Sequence, residues 1–325
     1  MKILLVAVHF YSSFGWSTAQ ALKRCGHEVH VFDYRKGVRL RAPGLRSLLV
    51  RRMNSRLLNV VKDQAPDLIF VQKGELIYPE TLRAARSIAG CSLINWFPDP
   101  RPMAYPCVAG ALAVYDYFFT KNPYWNRTLR NAGWNNVYYL AHAYDVEIQK
   151  RLALSPGERE RFGADVGFIG SMYPFRKTYF SGLIDVDLKI WGDGWRTLSG
   201  EDPMRRHCTG HDVRGMDHTR VINASRINLN LHHYDDIEGV NQRFFDIAGC
   251  GGFQIVDEKK EISKYLKPED EVICYRDAKD LRQKIHYYLE HPDDRETIRE
   301  RGFRKIQTGN TYEDRIKELF SIVRM

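Results

Sequence analysis

Cysteine is sparse and scattered: Cys25, Cys91, Cys107, Cys208, Cys250 and Cys274 never fall into C-x-x-C spacing. That excludes a disulfide framework and a zinc site, and the six read as reduced, mostly core thiols of a cytosolic protein. Long apolar runs are missing too; none approaches the roughly 20 residues of a membrane helix. The stretch from Met1 to Val8 is apolar, but His9 follows at once, so it reads as a first strand and not as a secretory signal. Also absent is G-x-G-x-x-G. The loop from His9 to Trp16 holds only Gly15, which argues against dinucleotide-dependent redox chemistry. Finally, no acidic residue occurs from Arg35 to Lys62, although Asp33 and Asp63 bracket that span.

The span instead carries Arg35, Lys36, Arg39, Arg41, Arg46, Arg51, Arg52, Arg56 and Lys62, a concentrated share of a net charge of +9. Leu45, Leu48, Leu49, Met53, Leu57, Val60 and Val61 recur at helical spacing, which predicts a basic amphipathic helix over 44–62. The plain reading is a surface helix packed on a sheet. The functional readings are an anionic membrane surface, with the protein peripheral at its inner face, or an anionic acceptor. Nucleic acid is set aside, because no reading motif accompanies the charge.

With 325 residues and 44% hydrophobic content, two domains of ordinary size are expected. Apolar runs at 2–8, 28–32, 68–71, 91–97, 115–120 and 136–140 alternate with helical patterns, so the first half is a Rossmann-like α/β domain. The fourth run ends in Pro98-Asp99-Pro100-Arg101-Pro102, a rigid turn that holds Asp99 at a strand's carboxyl end. The second half repeats the grammar: a strand 165–170, a basic loop, a strand 186–191, a short strand around Val213, a helix beginning at 221–225, a strand 227–231 and, later, a strand within 268–275. Helices follow near 281–289, 293–306 and 312–323. The expected boundaries are 1–148 for the first domain, 149–164 for a linker, 165–310 for the second domain, and 311–325 for a helix crossing back to the first.

Residues 238–257, EGVNQRFFDIAGCGGFQIVD, form the most informative stretch. Glu238, Asn241, Arg243 and Asp246 precede or interleave with a buried helical pattern, Cys250 to Gly252 end it, and 253–256 reads as a strand ending in Asp257. Polar groups then stand at a helix N-terminus beside a strand's carboxyl end, where open α/β sheets bind ligands and where an anion is favoured.

These residues resemble a known family. VGFIGS with a following Arg, IWGDGW, SRINLNLHH, NQRFFDIAGCGGFQIVD, YYLEHP and TYEDR are similar to the C-terminal half of CgeB-type, spore-maturation-protein-like glycosyltransferases of the GT-B superfamily. The N-terminal half matches less distinctively, through LKRCGHEVHVFD, WFPDPRP and YDYFFTKNPYWNRTLRNAGW. The resemblance implies two Rossmann-like domains facing across a cleft. A nucleotide diphosphate sugar would bind in the second domain, and an acceptor (glycan, lipid-linked glycan or protein) at the first. Many retaining members carry two glutamates separated by seven residues, one near the donor sugar and one on the ribose. Glu238 and Asp246 have that separation, with Asp in the second place.

On this reading the diphosphate is held by Gly170, Ser171, Arg176, Lys177 and the backbone at Gly251 and Gly252, with Arg176 first because its fork can grip two oxygens. Gly192 and Gly194 admit the nucleotide, and Arg214 and Gly215 fall near the base. His232, Asn241, Arg243 and Asp246 complete the donor side. Asp99 and His9 are candidate bases for an inverting reaction, and Glu238 is the candidate at the sugar. No cofactor or metal is expected, since the D-x-D at Asp185 and Asp187 opens a strand. Retention is slightly favoured. The alternatives are a nucleotide-sugar 2-epimerase on the same fold and a non-catalytic nucleotide-sugar-binding protein of spore or envelope assembly.

Overall fold

Strands that are apolar on both faces need a helix on each side, and connecting them in parallel supplies those helices. The computed structural model describes residues 1–38 and 43–323, so Arg39 and Arg41 of the basic run lie outside the described residues. The chain divides into two units. The first contains Met1–His142, the short segment Asp235–Gly239 and the last helix. The second contains Ala143–Tyr234 and Val240–Thr311.

The first unit runs β1 (Lys2–Ala7), α1 (Phe14–Arg24), β2 (Glu28–Asp33), α2 (Pro43–Gln64), β3 (Leu68–Gln72), α3 (Pro79–Ala89), β4 (Ser92–Phe97), α4 (Pro106–Ala111), β5 (Tyr117–Thr120), α5 (Pro123–Asn131) and β6 (Val137–Tyr139). Its sheet has the order β2-β1-β3-β4-β5-β6 with every pair parallel. Leu4, Val6, Ile69, Val71, Leu93 and Phe118 are fully buried in the core on one side of this sheet. α2 closes that core with Val50, Met53, Leu57 and Val61.

The second unit runs α6 (Pro156–Phe162), β7 (Ala164–Ile169), α7 (Pro174–Phe180), β8 (Leu188–Trp191), α8 (Gly215–Ala224), β9 (Ser225–Asn230), α9 (Gln242–Gly249), β10 (Gln254–Asp257), α10 (Ile262–Tyr265), β11 (Ile273–Tyr275), α11 (Ala278–Glu290) and α12 (Pro292–Ile306). Its all-parallel order is β11-β10-β9-β7-β8. The final helix, α13 (Tyr312–Val323), belongs to the first unit.

Three local expectations are corrected. Val213 is not in a strand; it is a buried loop residue whose apolar side chain joins the core beside Trp191 and Val221. Residues 221–225 end a helix instead of beginning one, because α8 starts at Gly215 and Ser225 already opens β9. Of the six cysteines only Cys250 and Cys274 are buried, the others being partly exposed, and all six are free. Within the stretch expected to be a polar linker, α6 forms on a capping box, Ser155 with Glu158.

In each sheet the chain's direction of travel reverses once, between β1 and β3 in the first and between β7 and β9 in the second. Such points open a crevice outside the carboxyl ends of the strands.

Candidate functional site

The second unit's reversal point is framed by the loops after β7 and β9. Gly170 and Ser171 follow β7, and Gly192 follows β8 with its N–H on the His211 carbonyl. Gly192 has φ +147, and a Cβ there would lie 2.2 Å from the Gly170 carbonyl oxygen, so only glycine lets these two loops touch.

Arg176 lies across the reversal point. Its Nη1 donates to the Ser171 carbonyl at 2.7 Å and its Nη2 to the Leu231 carbonyl at 2.8 Å. The expected phosphate fork is therefore turned onto the backbone, where it ties the β7 loop to the end of β9. Burial, reinforced by the nearby Arg243 cation, pulls its pKa down to about 10. Its buried Nε has no hydrogen-bond partner among the described residues. Lys177, on the exposed side of α7, is corrected as well: its ammonium is paired with Asp202.

After β9, His232 is wholly buried, and its Nδ1 lies 2.6 Å from Asp257 Oδ1 at the end of β10. The same oxygen accepts the His232 backbone N–H at 2.8 Å. Burial alone would raise the Asp257 pKa, but the His232 ring and Lys259 outweigh it and hold the carboxyl below its ordinary range. With Nδ1 on the carboxylate, Nε2 is left buried and unpartnered among the described residues.

α9 begins at this edge. Asn241 is its N-cap, accepting the Phe244 N–H at 2.9 Å, and it is locked to Asn230 of β9 by an amide pair of 2.8 and 3.1 Å. Arg243 and Asp246 form an i, i+3 pair at 3.2 Å, and Gln242 Nε2 donates to the other Asp246 oxygen at 2.9 Å. Asp246 is buried, which raises its pKa despite Arg243. Both its oxygens are thus occupied within α9, where the expectation had a carboxylate reaching a ribose. His218, in the first turns of α8, is held neutral by burial and by Arg243. Its Nε2 stands 3.8 Å from Asp246, beyond hydrogen-bond reach, and unpartnered among the described residues. Sequence reading missed His218, because a lone histidine in a helix of mixed polarity carries no signal until its neighbours are known.

Gly251 and Gly252 are removed from the site. They close the C-terminal end of α9, with N–H groups on the Ala248 and Ile247 carbonyls. In a parallel unit that end meets the amino edge of β10, opposite the ligand edge, and its partial charge repels phosphate. Arg214 is exposed and paired with Asp212 at 2.8 Å, and Gly215 opens α8. Asp185 pairs with Arg282 at 2.6 Å and Asp187 accepts the Asp165 N–H at 3.3 Å, so both lie at the amino edge of the sheet in structural contacts.

In the first unit, the carboxyl edge collects opposite charges. Asp99 Oδ2 takes Lys73 Nζ at 2.5 Å and the Tyr105 hydroxyl at 3.0 Å, while Oδ1 has no partner among the described residues. Lys73 follows β3 in a left-handed conformation, φ 62. Glu75 accepts from Tyr34 at 2.6 Å and pairs with Arg35. His9 follows β1 partly buried, with a lowered pKa from desolvation that Asp33 opposes.

Glu238 is held within the first unit. It belongs to the segment Asp235–Gly239 of the first unit, and Arg127 of α5 clamps its carboxylate with two bonds of 2.7 Å. In the same segment Asp235 meets Arg101 at 2.9 Å and Asp236 makes a fully buried pair with Lys121.

The comparisons with known proteins agree with this architecture. Residues 176–321 match the family model described as glycosyl transferase-like. The spore protein CgeB of Bacillus subtilis is 22% identical over 201 residues, 56% of this chain and 60% of that protein, so the match leaves a good part of the relative's length unspanned. Among solved structures, Anabaena HepE in complex with UDP superposes with a TM-score of 0.68 at 12% identity over all of both chains. Sucrose-phosphate synthase of Thermosynechococcus elongatus gives 0.70 at 12% over 99% of this chain and 98% of its own. The fold is GT-B, and the resemblance to CgeB-type glycosyltransferases stands.

Proposed function

We propose that this GT-B chain, similar to CgeB-type glycosyltransferases, is itself a glycosyltransferase that takes a nucleotide diphosphate sugar at the carboxyl edge of its second sheet. One observation carries the reading. At the reversal point between β7 and β9, the buried Nε atoms of Arg176 and Arg243 and the Nε2 atoms of His218 and His232 lack partners among the described residues, beside the N-terminus of α9. Buried polar atoms left without partners are strongly disfavoured unless a ligand completes them, and the two guanidinium Nε–H donors beside a helix N-terminus call for an anion. A departing diphosphate is such an anion.

In this scheme Asp246 fixes Arg243, Asp257 fixes the tautomer of His232, and Arg176 fixes the two loops while turning its free Nε to the ligand. The cationic donors stabilise the leaving diphosphate without a metal. Asp99 serves the acceptor hydroxyl through its free Oδ1, with Oδ2 anchored by Lys73 and Tyr105. With Glu238 clamped by Arg127, the assignment of that residue to the donor sugar is not retained, and the paired-carboxylate argument for retention goes with it.

A uridine diphosphate sugar is the first donor to test, by analogy with HepE. Thermal denaturation with UDP, UDP-glucose, other nucleoside diphosphates and free glucose is the experiment, since a ligand of the native state raises the midpoint by mass action. The expected outcome is stabilisation by a nucleotide diphosphate or its sugar, weakened in Arg243→Ala. No shift with any of them removes the donor site. Release of nucleotide only in the presence of an acceptor separates transfer from 2-epimerisation.

A further inference from the structure

α2 is the one long helix whose outward face the catalytic reading leaves without a task. It spans 22 residues, about 33 Å at 1.5 Å per residue. Its inner stripe is buried and apolar except for Asn54, whose amide donates to the Leu76 carbonyl at 3.0 Å and so pins the helix to the loop before α3. At 100° per residue, Leu45, Leu48, Arg51, Arg52, Arg56 and Lys62 fall within one outward arc of about 140°, which holds a single acidic residue, Asp63, in its last turn. All of these positions are exposed.

Two properties of this face go together. Arg51, Arg52, Arg56 and Lys62 have no ion pair or side-chain hydrogen bond among the described residues, in a protein that pairs most of its other arginines near acids. Leu45 and Leu48, in the turns just before those cations on the same face, are 49% and 45% exposed. A face that served only solubility would not show leucines, and a face that packed on apolar protein would not keep four unneutralised charges. An anionic lipid surface satisfies both demands, with headgroup phosphates for the cations and the acyl boundary for the leucines. No helix among the described residues is long and apolar enough to cross a membrane, so contact of this kind would be peripheral.

We propose that the outward face of α2 docks the protein on an anionic membrane, lying in the headgroup plane with Leu45 and Leu48 inserted and Arg51, Arg52, Arg56 and Lys62 on lipid phosphates. The proposal is independent of the donor site and is tested without nucleotide.

Flotation is measured with vesicles of phosphatidylglycerol mixed with phosphatidylcholine, and with phosphatidylcholine alone. Binding to the anionic vesicles is expected to be at least about 100-fold tighter and to weaken with salt. Arg51→Glu/Arg52→Glu/Arg56→Glu abolishes it, and Leu45→Ser/Leu48→Ser reduces it about 10-fold. All five positions are exposed, and an unchanged circular dichroism spectrum and melting midpoint show that the variants fold. Equal binding to neutral vesicles, or full binding by the charge-reversed variant, overturns the proposal. Full binding by the leucine variant, with complete displacement by polyphosphate, also overturns it, since the face would then be a site for soluble polyanions.

Discussion

The carboxyl edges of the two sheets are built by one topology and differ in how their basic side chains are held. On the first sheet nearly every cation meets a carboxylate: Arg35 with Glu75, Lys73 with Asp99, Arg101 with Asp235, Lys121 with Asp236, Arg127 with Glu238. On the second, Lys177, Arg214 and Lys259 also meet carboxylates, but Arg176 is bound to backbone carbonyls, Arg243 to a buried Asp, and both keep an Nε unpartnered among the described residues. An edge whose charges neutralise one another suits a neutral, hydroxyl-rich ligand. An edge with buried donors left over suits an anion. The parallel fold offers a crevice at both edges, so it is the charge pairing that tells them apart.

The largest test of this contrast is Lys121→Met. It leaves the Asp236 carboxylate buried and unpaired, and unfolding in urea should show a loss of about 3–5 kcal/mol. Lys121→Met combined with Asp236→Leu should recover most of that loss, because the pair contributes little beyond neutralising itself.

Next comes Arg176→Met. The buried Leu231 carbonyl and the part-buried Ser171 carbonyl lose charged donors, at about 1.5–3 kcal/mol each for such bonds, so a loss of about 3 kcal/mol is expected by the same measurement. Stabilisation by nucleotide should disappear as well, an effect that Lys121→Met does not share.

A smaller effect follows from His142, which is buried in the first unit with Nε2 on the Pro98 carbonyl at 3.0 Å. Burial, with Lys121 and Arg315 adding to it, lowers its pKa to about 3. The unfolded chain takes up that proton near pH 6.5, so between about 6.5 and 3 the unfolded state binds more protons and stability falls as pH falls. At pH 5 this amounts to about 2 kcal/mol relative to pH 7, and His142→Gln should flatten that part of the profile. His218 has the same sign of shift and steepens the loss in the wild type.

The smallest effect is expected for Glu238→Gln. Its partner Arg127 is exposed, so the melting midpoint should scarcely move. If activity measured with a donor identified by the thermal screen also persists, Glu238 has no catalytic role. A large loss of turnover with unchanged stability would return it to the donor sugar and break the contrast between the edges.

Much of the architecture was legible in the chain. The period-2 and continuous apolar runs located the eleven strands of the described residues to within a few residues, with one extra strand expected around Val213, and the polar N-terminus of α9 was placed at a strand's carboxyl end. The missing precision has physical causes. Val213 is apolar and flanked by turn residues, which suits a strand, but its burial comes from Trp191 and Val221 and not from a ladder. Gly251 and Gly252 were legible as the end of α9, but only the parallel pairing of β9 and β10 places that end at the amino edge, away from the ligand edge. His218 gains interest only because Asp246 and Arg243 lie beside it.

While the strand order and its reversal points came with the tertiary structure, the sequence by itself determined the two α/β units and the basic helix. Those depend on local periodicity and on the short list of ways to bury a two-faced strand. Only the tertiary structure decided which charged groups remain available for a ligand. Arg176, Asp246, Lys177 and Glu238 all have the right chemistry for a donor site. Their partners (two carbonyls, a helix neighbour, Asp202 and Arg127) stand anywhere from three to more than a hundred positions away, and pairing at a few ångströms is set by packing and not by spacing along the chain.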